Sequence, residues 1–192
     1  MHRLIAIGMS AGSFALIGRI LGALPHHYPL PVVIVAHLPE REESTLAEFI
    51  GAHSKLPVGM ATDKEIIRNG RVYLAPPGYH LLIENGADAA LRFSLSVDEP
   101  VQSVRPSIDV LFESAAEAVE SDLIGILLSG ANSDGADGMV AVKKYGGLGI
   151  VLDPRLSEFS CMPEAAIKRC EVDYVVGVDE IVSLLLSVDE KL

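Results

Sequence analysis

The sequence has no apolar run long enough to cross a bilayer. Its longest stretches, such as Leu30–Ala36 and Leu123–Leu128, are strand-length and fall well short of the roughly 20 residues a membrane helix needs. The chain opens directly on Leu4-Ile5-Ala6-Ile7, which leaves no space for a signal peptide ahead of the first apolar segment. Both absences lead to the expectation of a soluble, cytoplasmic protein. Cysteine is scarce: Cys161 and Cys170 are the only two, and they form no C-x-x-C pair. A disulfide framework, a zinc ribbon and a dithiol redox centre are thereby disfavoured, and both thiols read as structural. Basic residues are also in deficit, with 15 Lys and Arg against 26 Asp and Glu, for a formal net charge of −11. They are scattered, so nucleic acid and anionic membranes would be poor partners for this surface. No repeat, low-complexity segment or long linker is present.

What the chain does contain is a globular composition, 49% apolar and 21% charged over 192 residues, enough for one domain with a sizeable core. Short apolar runs at Leu4–Ile7, Pro31–Val35, Val72–Ala75, Leu123–Leu128, Leu148–Leu152 and Tyr174–Val176 read as strands buried on both faces. Amphipathic stretches at Phe14–Ala23, Ser44–Ala52, Ile108–Val119, Met139–Tyr145 and Ile181–Val188 alternate with them. The alternation predicts an α/β fold with a doubly wound, mostly parallel sheet between helical layers, a Rossmann-like three-layer architecture. One segment departs from it: His80–Glu84 and Ala90–Ser94 flank Asn85-Gly86, predicting an antiparallel hairpin. Asn69-Gly70 marks a further turn.

In an open parallel sheet, chemistry concentrates at the carboxyl ends of the strands. Three such loops here are rich in polar groups. Gly8-Met9-Ser10-Ala11-Gly12 matches G-x-S-x-G, in which a tight strand-to-helix turn presents a serine hydroxyl. The same turn would also serve as a packing or phosphate-binding loop. His37 stands at the end of the second strand, where a neutral imidazole suits the task of removing a serine proton, though a lone histidine is more often structural. Asp134 lies in Ser129–Ala136, where it would orient a histidine or simply cap the next helix, as would Asp137. Asp137-Gly138 lacks the carboxylate ladder of a calcium loop. His2, His26, His27 and His53 show no ligand spacing, and His80, at the start of the hairpin, is expected at the surface.

Taken together, these segments resemble the catalytic domain of the chemotaxis receptor methylesterases (CheB type). The resemblance runs through Ser10, His37-Leu38-Pro39, Tyr73-Leu74-Ala75-Pro76-Pro77-Gly78 and Arg105-Pro106-Ser107-Ile108-Asp109-Val110-Leu111-Phe112. It continues in Leu128-Ser129-Gly130, Asp134-Gly135-Ala136-Asp137-Gly138-Met139 and Met162-Pro163-Glu164-Ala165-Ala166-Ile167, and so covers nearly the whole chain. It implies Ser10 as nucleophile, His37 as general base and Asp134 as the acid that orients it. Oxyanion support would come from the backbone of Ala11, Gly12 and Ala131.

The implied reaction is hydrolysis of glutamate γ-methyl esters on chemotaxis receptor helices, with deamidation of glutamine a related capability and no metal or cofactor required. Residues 1–192 are expected to form one catalytic domain without a receiver domain. A separate receiver or methyltransferase protein is then a candidate regulatory partner. This chain departs from the family's habit at Ala11-Gly12-Ser13, Ala36, Gln102-Ser103-Val104 and Ala131. Those departures keep two alternatives open: an esterase with another substrate, and a Rossmann-like binding module of little or no activity. Against the binding module, Ser10 takes the place of the second glycine in G-x-G-x-x-G.

Overall fold

A computed structural model describes residues 3–37 and 43–189. Among these residues the sheet is built from β1 (Leu4–Met9), β2 (Val32–Ala36), β3 (Val58–Met60), β4 (Val72–Leu74), β7 (Leu123–Leu127), β8 (Leu148–Leu152) and β9 (Tyr174–Val176). The order is β3-β4-β2-β1-β7-β8-β9 and every recorded pairing is parallel. β5 (His80–Asn85) and β6 (Leu91–Ser96) form a separate antiparallel ribbon. The helices are α1 (Phe14–Ala23), α2 (Glu43–His53), α3 (Ile108–Val119), α4 (Ala136–Lys144), α5 (Cys161–Arg169) and α6 (Val178–Asp189).

The predicted strands and helices are therefore present, with ends shifted by a few residues. β3 and α5 were not expected. The first is only three residues long, and the second carries Pro163 in its first turn, a position where proline is tolerated because that N–H has no helical partner. The predicted hairpin exists, its strands extending to Asn85 and Leu91. Asn85 pairs with Leu91, and the positive φ of the intervening loop falls on Ala89, at 61°.

Strand alternation divides the core in two. Leu4 and Ala6 of β1, with Val33 and Val35 of β2, face a layer made of the hairpin, α3, α4 and α5, including Phe93, Phe112 and Met139. Ile5, Ile7 and Met9, with Val32 and Ile34, face α1, α2 and α6 through Ile17, Ile50 and Ile181. The chain winds outward from β1 through β2 in one direction and resumes at β7 on the other side. β1 and β7 thus border the crevice where the winding direction reverses, the usual place for a site in such sheets.

Candidate active site

Three loops meet at this end of the sheet, and the hydrogen-bond ladder continues into them. β1 and β2 are in register at Met9 and Ala36, and the His37 N–H then donates to the Met9 carbonyl at 3.0 Å. On the other side the Leu128 N–H donates to Gly8, and the Ser10 N–H to Ser129, each at 3.0 Å. Ser10, His37 and Ser129 consequently stand in one row across neighbouring strands, whose backbones run about 4.8 Å apart. Continuing the alternation places Ser10 on the side of Leu4, Ala6 and Gly8, and His37 on the side of Val33 and Val35, which is the α3 side for both.

The glycines flanking Ser10 do separate jobs. A β-carbon on Gly8 would come within 2.3 Å of Ile108 Cγ2, so its hydrogen lets the first turn of α3 approach the strand. Gly12 has a φ of +79° and closes the turn in which the Ser13 N–H returns to the Ser10 carbonyl at 3.2 Å. Ser13 Oγ then donates to Ser129 at 3.0 Å, tying the turn to the β7 loop. The hydroxyl is less open than the G-x-S-x-G motif suggested, because Ser10 is only 9% exposed. Part of that cover comes from the β7 loop: a β-carbon on Gly130 would lie 3.0 Å from the Ser10 Cβ and 2.4 Å from Met162 Cε.

Asp134 is fully buried, yet it does not cap the helix that follows it. α4 begins after Gly135 with no side-chain cap. The carboxylate instead reaches the amino end of α3. Oδ2 accepts the Ile108 N–H at 2.6 Å, while Oδ1 accepts the Asp109 N–H at 3.1 Å and the Ser107 hydroxyl at 2.8 Å. The first N–H groups of a helix lack internal partners and carry partial positive charge, so they stabilise an anion there. Burial alone would raise the pKa of Asp134. The His37 side chain, the Ile108 N–H and the Ser107 hydroxyl outweigh it, holding the carboxyl below its ordinary value.

His37 Nε2 stands 2.7 Å from Asp134 Oδ2. The distance suits an ion pair, although the ring N–H is not aimed for an aligned hydrogen bond; such contacts in unliganded sites commonly tighten on substrate binding. With Nε2 turned to Asp134, Nδ1 is the ring nitrogen left for proton transfer, and the Asn132 side-chain amide lies 3.5 Å from it. Leu38 and Pro39, which follow His37, lie outside the described residues, as does His2.

Several residues of this site escaped sequence reasoning. His80 is not at the surface: it is 1% exposed, its Nδ1 accepts the Ser107 N–H at 3.2 Å and its Nε2 donates to the Glu99 carbonyl at 3.1 Å. The hairpin folds back over α3, so the first residue of β5 becomes an inward support for the turn that holds Ser107. Asp109 is also buried. Its Oδ1 accepts the Gly138 N–H at 2.7 Å, and its Oδ2 accepts from Gln102, which in turn accepts the Ser133 hydroxyl at 2.8 Å. Burial pushes Asp109 up to about 7, against the Gly138 N–H and with help from the Asp134 charge. The available signal was Ser107 followed by Asp109, a helix-start pattern. Of the residues assigned to oxyanion support, Gly12 adjoins Ser129 and Glu158, whereas Ala11 and Ala131 are exposed. Among the described residues, no group of three or more His, Cys, Asp and Glu side chains is placed to hold a metal ion.

Known proteins resemble this chain in sequence and in fold. The sequence profile of the family described as CheB methylesterase matches residues 5–185. A Leptospira interrogans protein, provisionally named protein-glutamate methylesterase/protein-glutamine glutaminase, is 42% identical over 189 residues, spanning 98% of this chain and 96% of that one. A Haloarcula marismortui protein of the same name, without the qualifier, is 36% identical over 177 residues, covering 92% of this chain and 48% of its own length. The crystal structure of the Thermotoga maritima CheB methylesterase catalytic domain superimposes with a TM-score of 0.93 at 31% identity, covering 98% of this chain and 99% of that one. The chain belongs to the CheB methylesterase family.

Proposed function

We propose that this protein is a serine hydrolase that removes methyl groups from glutamate γ-methyl esters on chemotaxis receptors, with Ser10, His37 and Asp134 as its triad. The observation that carries the reading is the 2.7 Å contact between His37 and the buried Asp134, beside the row that holds Ser10. Asp134, kept ionised by the amino end of α3, fixes the proton on Nε2 and leaves Nδ1 to act as base. Ser10 Oγ attacks the ester carbonyl while its proton passes to Nδ1. The proton then goes to the departing methanol, leaving an acyl-serine. Water, deprotonated by the same nitrogen, cleaves that intermediate to glutamate and regenerates the serine. A glutamine amide passes through the same steps with ammonia as the leaving group, which accords with the glutaminase half of the relatives' names. Backbone groups at Ala11, Gly12 and Ala131 are proposed to support the oxyanion.

The substrate is proposed to be the cytoplasmic helical region of a receptor, and the protein to act in the cytoplasm; no described helix is long and apolar enough to cross a membrane. A separate receiver or methyltransferase protein is the proposed kind of regulator. The test is methanol release from a methylated receptor cytoplasmic fragment by the wild type and by Ser10→Ala. Release by the wild type alone is expected. Equal release by both would refute the nucleophile, and labelling of Ser10 by a fluorophosphonate without methanol release would point to another ester substrate.

A further inference from the structure

Asn132 sits between the base and the acid of the proposed triad and bonds toward both. Its Oδ1 accepts the backbone N–H of Asp134 at 3.3 Å. Only an oxygen can accept there, so the orientation of the carboxamide is settled by its neighbour and Nδ2 must be the atom turned to His37. Nδ2 lies 3.5 Å from His37 Nδ1, a long and therefore weak hydrogen bond. That nitrogen is the one that takes the Ser10 proton, since Nε2 is committed to Asp134.

A donor resting on the lone pair of a general base cannot remain once the base is protonated, because two N–H groups then face each other. The acceptor created by the reaction at that moment is the anionic oxygen of the tetrahedral adduct on Ser10. We propose that Asn132 is a catalytic residue whose Nδ2–H leaves His37 Nδ1 as the ring takes its proton and donates to that oxyanion. The proposal rests on the triad reading above. Side-chain amides aimed at a developing oxyanion are worth about 10²–10³-fold in kcat. Asn132 is partly exposed, so a smaller effect than in a fully buried site, about 10- to 100-fold, is expected.

The experiment compares Asn132→Ala, Asn132→Asp and Ser10→Ala on a peptide carrying a glutamate γ-methyl ester, with the rate of fluorophosphonate labelling as a substrate-independent readout. Asn132→Ala should lower kcat by about 10- to 100-fold with KM within about twofold. Asn132→Asp retains the acceptor for the Asp134 N–H but has no donor, and should fall at least as far. Near-normal kcat in Asn132→Asp would reduce Asn132 to a support for the loop. Near-normal kcat and labelling rate in Asn132→Ala, with Ser10→Ala inactive, would overturn the proposal and leave the triad standing. Full activity in Ser10→Ala, or a wild type that is neither active nor labelled, would remove the triad and this inference with it.

Discussion

The two faces of the central sheet are built to different specifications. On the side of α1, α2 and α6, β1 presents Ile5, Ile7 and Met9, and the layer is held by apolar packing, with the buried Tyr28 hydroxyl donating to the Leu185 carbonyl. On the side of α3, the same strand presents Leu4, Ala6 and Gly8, a taper toward the carboxyl end. That taper lets Ile108 close on the strand and brings the amino end of α3 to the edge of the sheet. The α3 face also carries His80, Ser107, Asp109 and Asp134, each buried and each hydrogen-bonded. Both faces bury an apolar core, and the α3 face in addition gives up packing volume at Gly8 to assemble a polar site.

The largest expected effect strikes the polar face. Asp134→Asn should lower kcat by about 10⁴-fold, the size of loss seen when a triad carboxylate becomes an amide and favours the wrong histidine tautomer. Its new NH₂ would also oppose the donors from α3, costing about 1–3 kcal/mol in stability. Activity within tenfold of the wild type, with an unchanged unfolding midpoint, would show that Asp134 orients nothing.

Adjacent residues of β1 allow a sharper contrast. Ile7→Ala removes a fully buried side chain from the apolar face and should cost about 2–5 kcal/mol while leaving kcat per folded molecule within about twofold. Gly8→Ala adds one carbon on the opposite face, 2.3 Å from Ile108 Cγ2. Overpacking of that kind costs about 1–3 kcal/mol, a smaller loss of stability, but displacing α3 should lower kcat by about tenfold or more. Denaturant titrations and turnover on the same samples decide the matter; if Ile7→Ala lost the activity and Gly8→Ala kept it, the division of labour between faces would be reversed.

The last effect is a slope. Asp109 is raised to about 7 in the folded protein, chiefly by burial, against roughly 3.9 in an unfolded chain. Below about pH 4 it is protonated in both states and costs nothing. As pH rises toward 7 the unfolded chain ionises first, so this group lowers stability across that window and holds the full cost above it. Asp109→Asn removes that contribution. Its unfolding midpoint, relative to the wild type, should climb between pH 4.5 and pH 8. Parallel curves for the two proteins would mean that Asp109 buries no charge.

Much of the site was legible because it depends on short-range pattern. The G-x-S-x-G turn after an apolar run located Ser10, and the histidine at the end of the next run located His37. The positions of both at strand ends even encode their common side, since Gly8 to Ser10 and Val35 to His37 are each one alternation step. The partnership of Asp134 was not legible in the same way. Its loop suggested either an orienter for a histidine or a cap for α4, the helix next in sequence; it lies against His37, and its hydrogen bonds go to the amino end of α3, some 25 residues earlier in the chain. His80 was misplaced for a related reason: a hairpin's own residues do not say which helix it will lie against, so a polar first residue reads as exposed.

By itself, then, the sequence determined most of the elements, the two-sided burial of the strands and the polar loops at their carboxyl ends, because those follow from periodicity and from the backbone demands of particular residues. Only the tertiary structure decided the order β3-β4-β2-β1-β7-β8-β9, and with it which loops are neighbours. It also decided that the amino end of α3, rather than that of α4, receives the Asp134 carboxylate. Those choices depend on contacts between residues far apart in the chain, whose energies are set by packing and desolvation and leave no local periodicity to read.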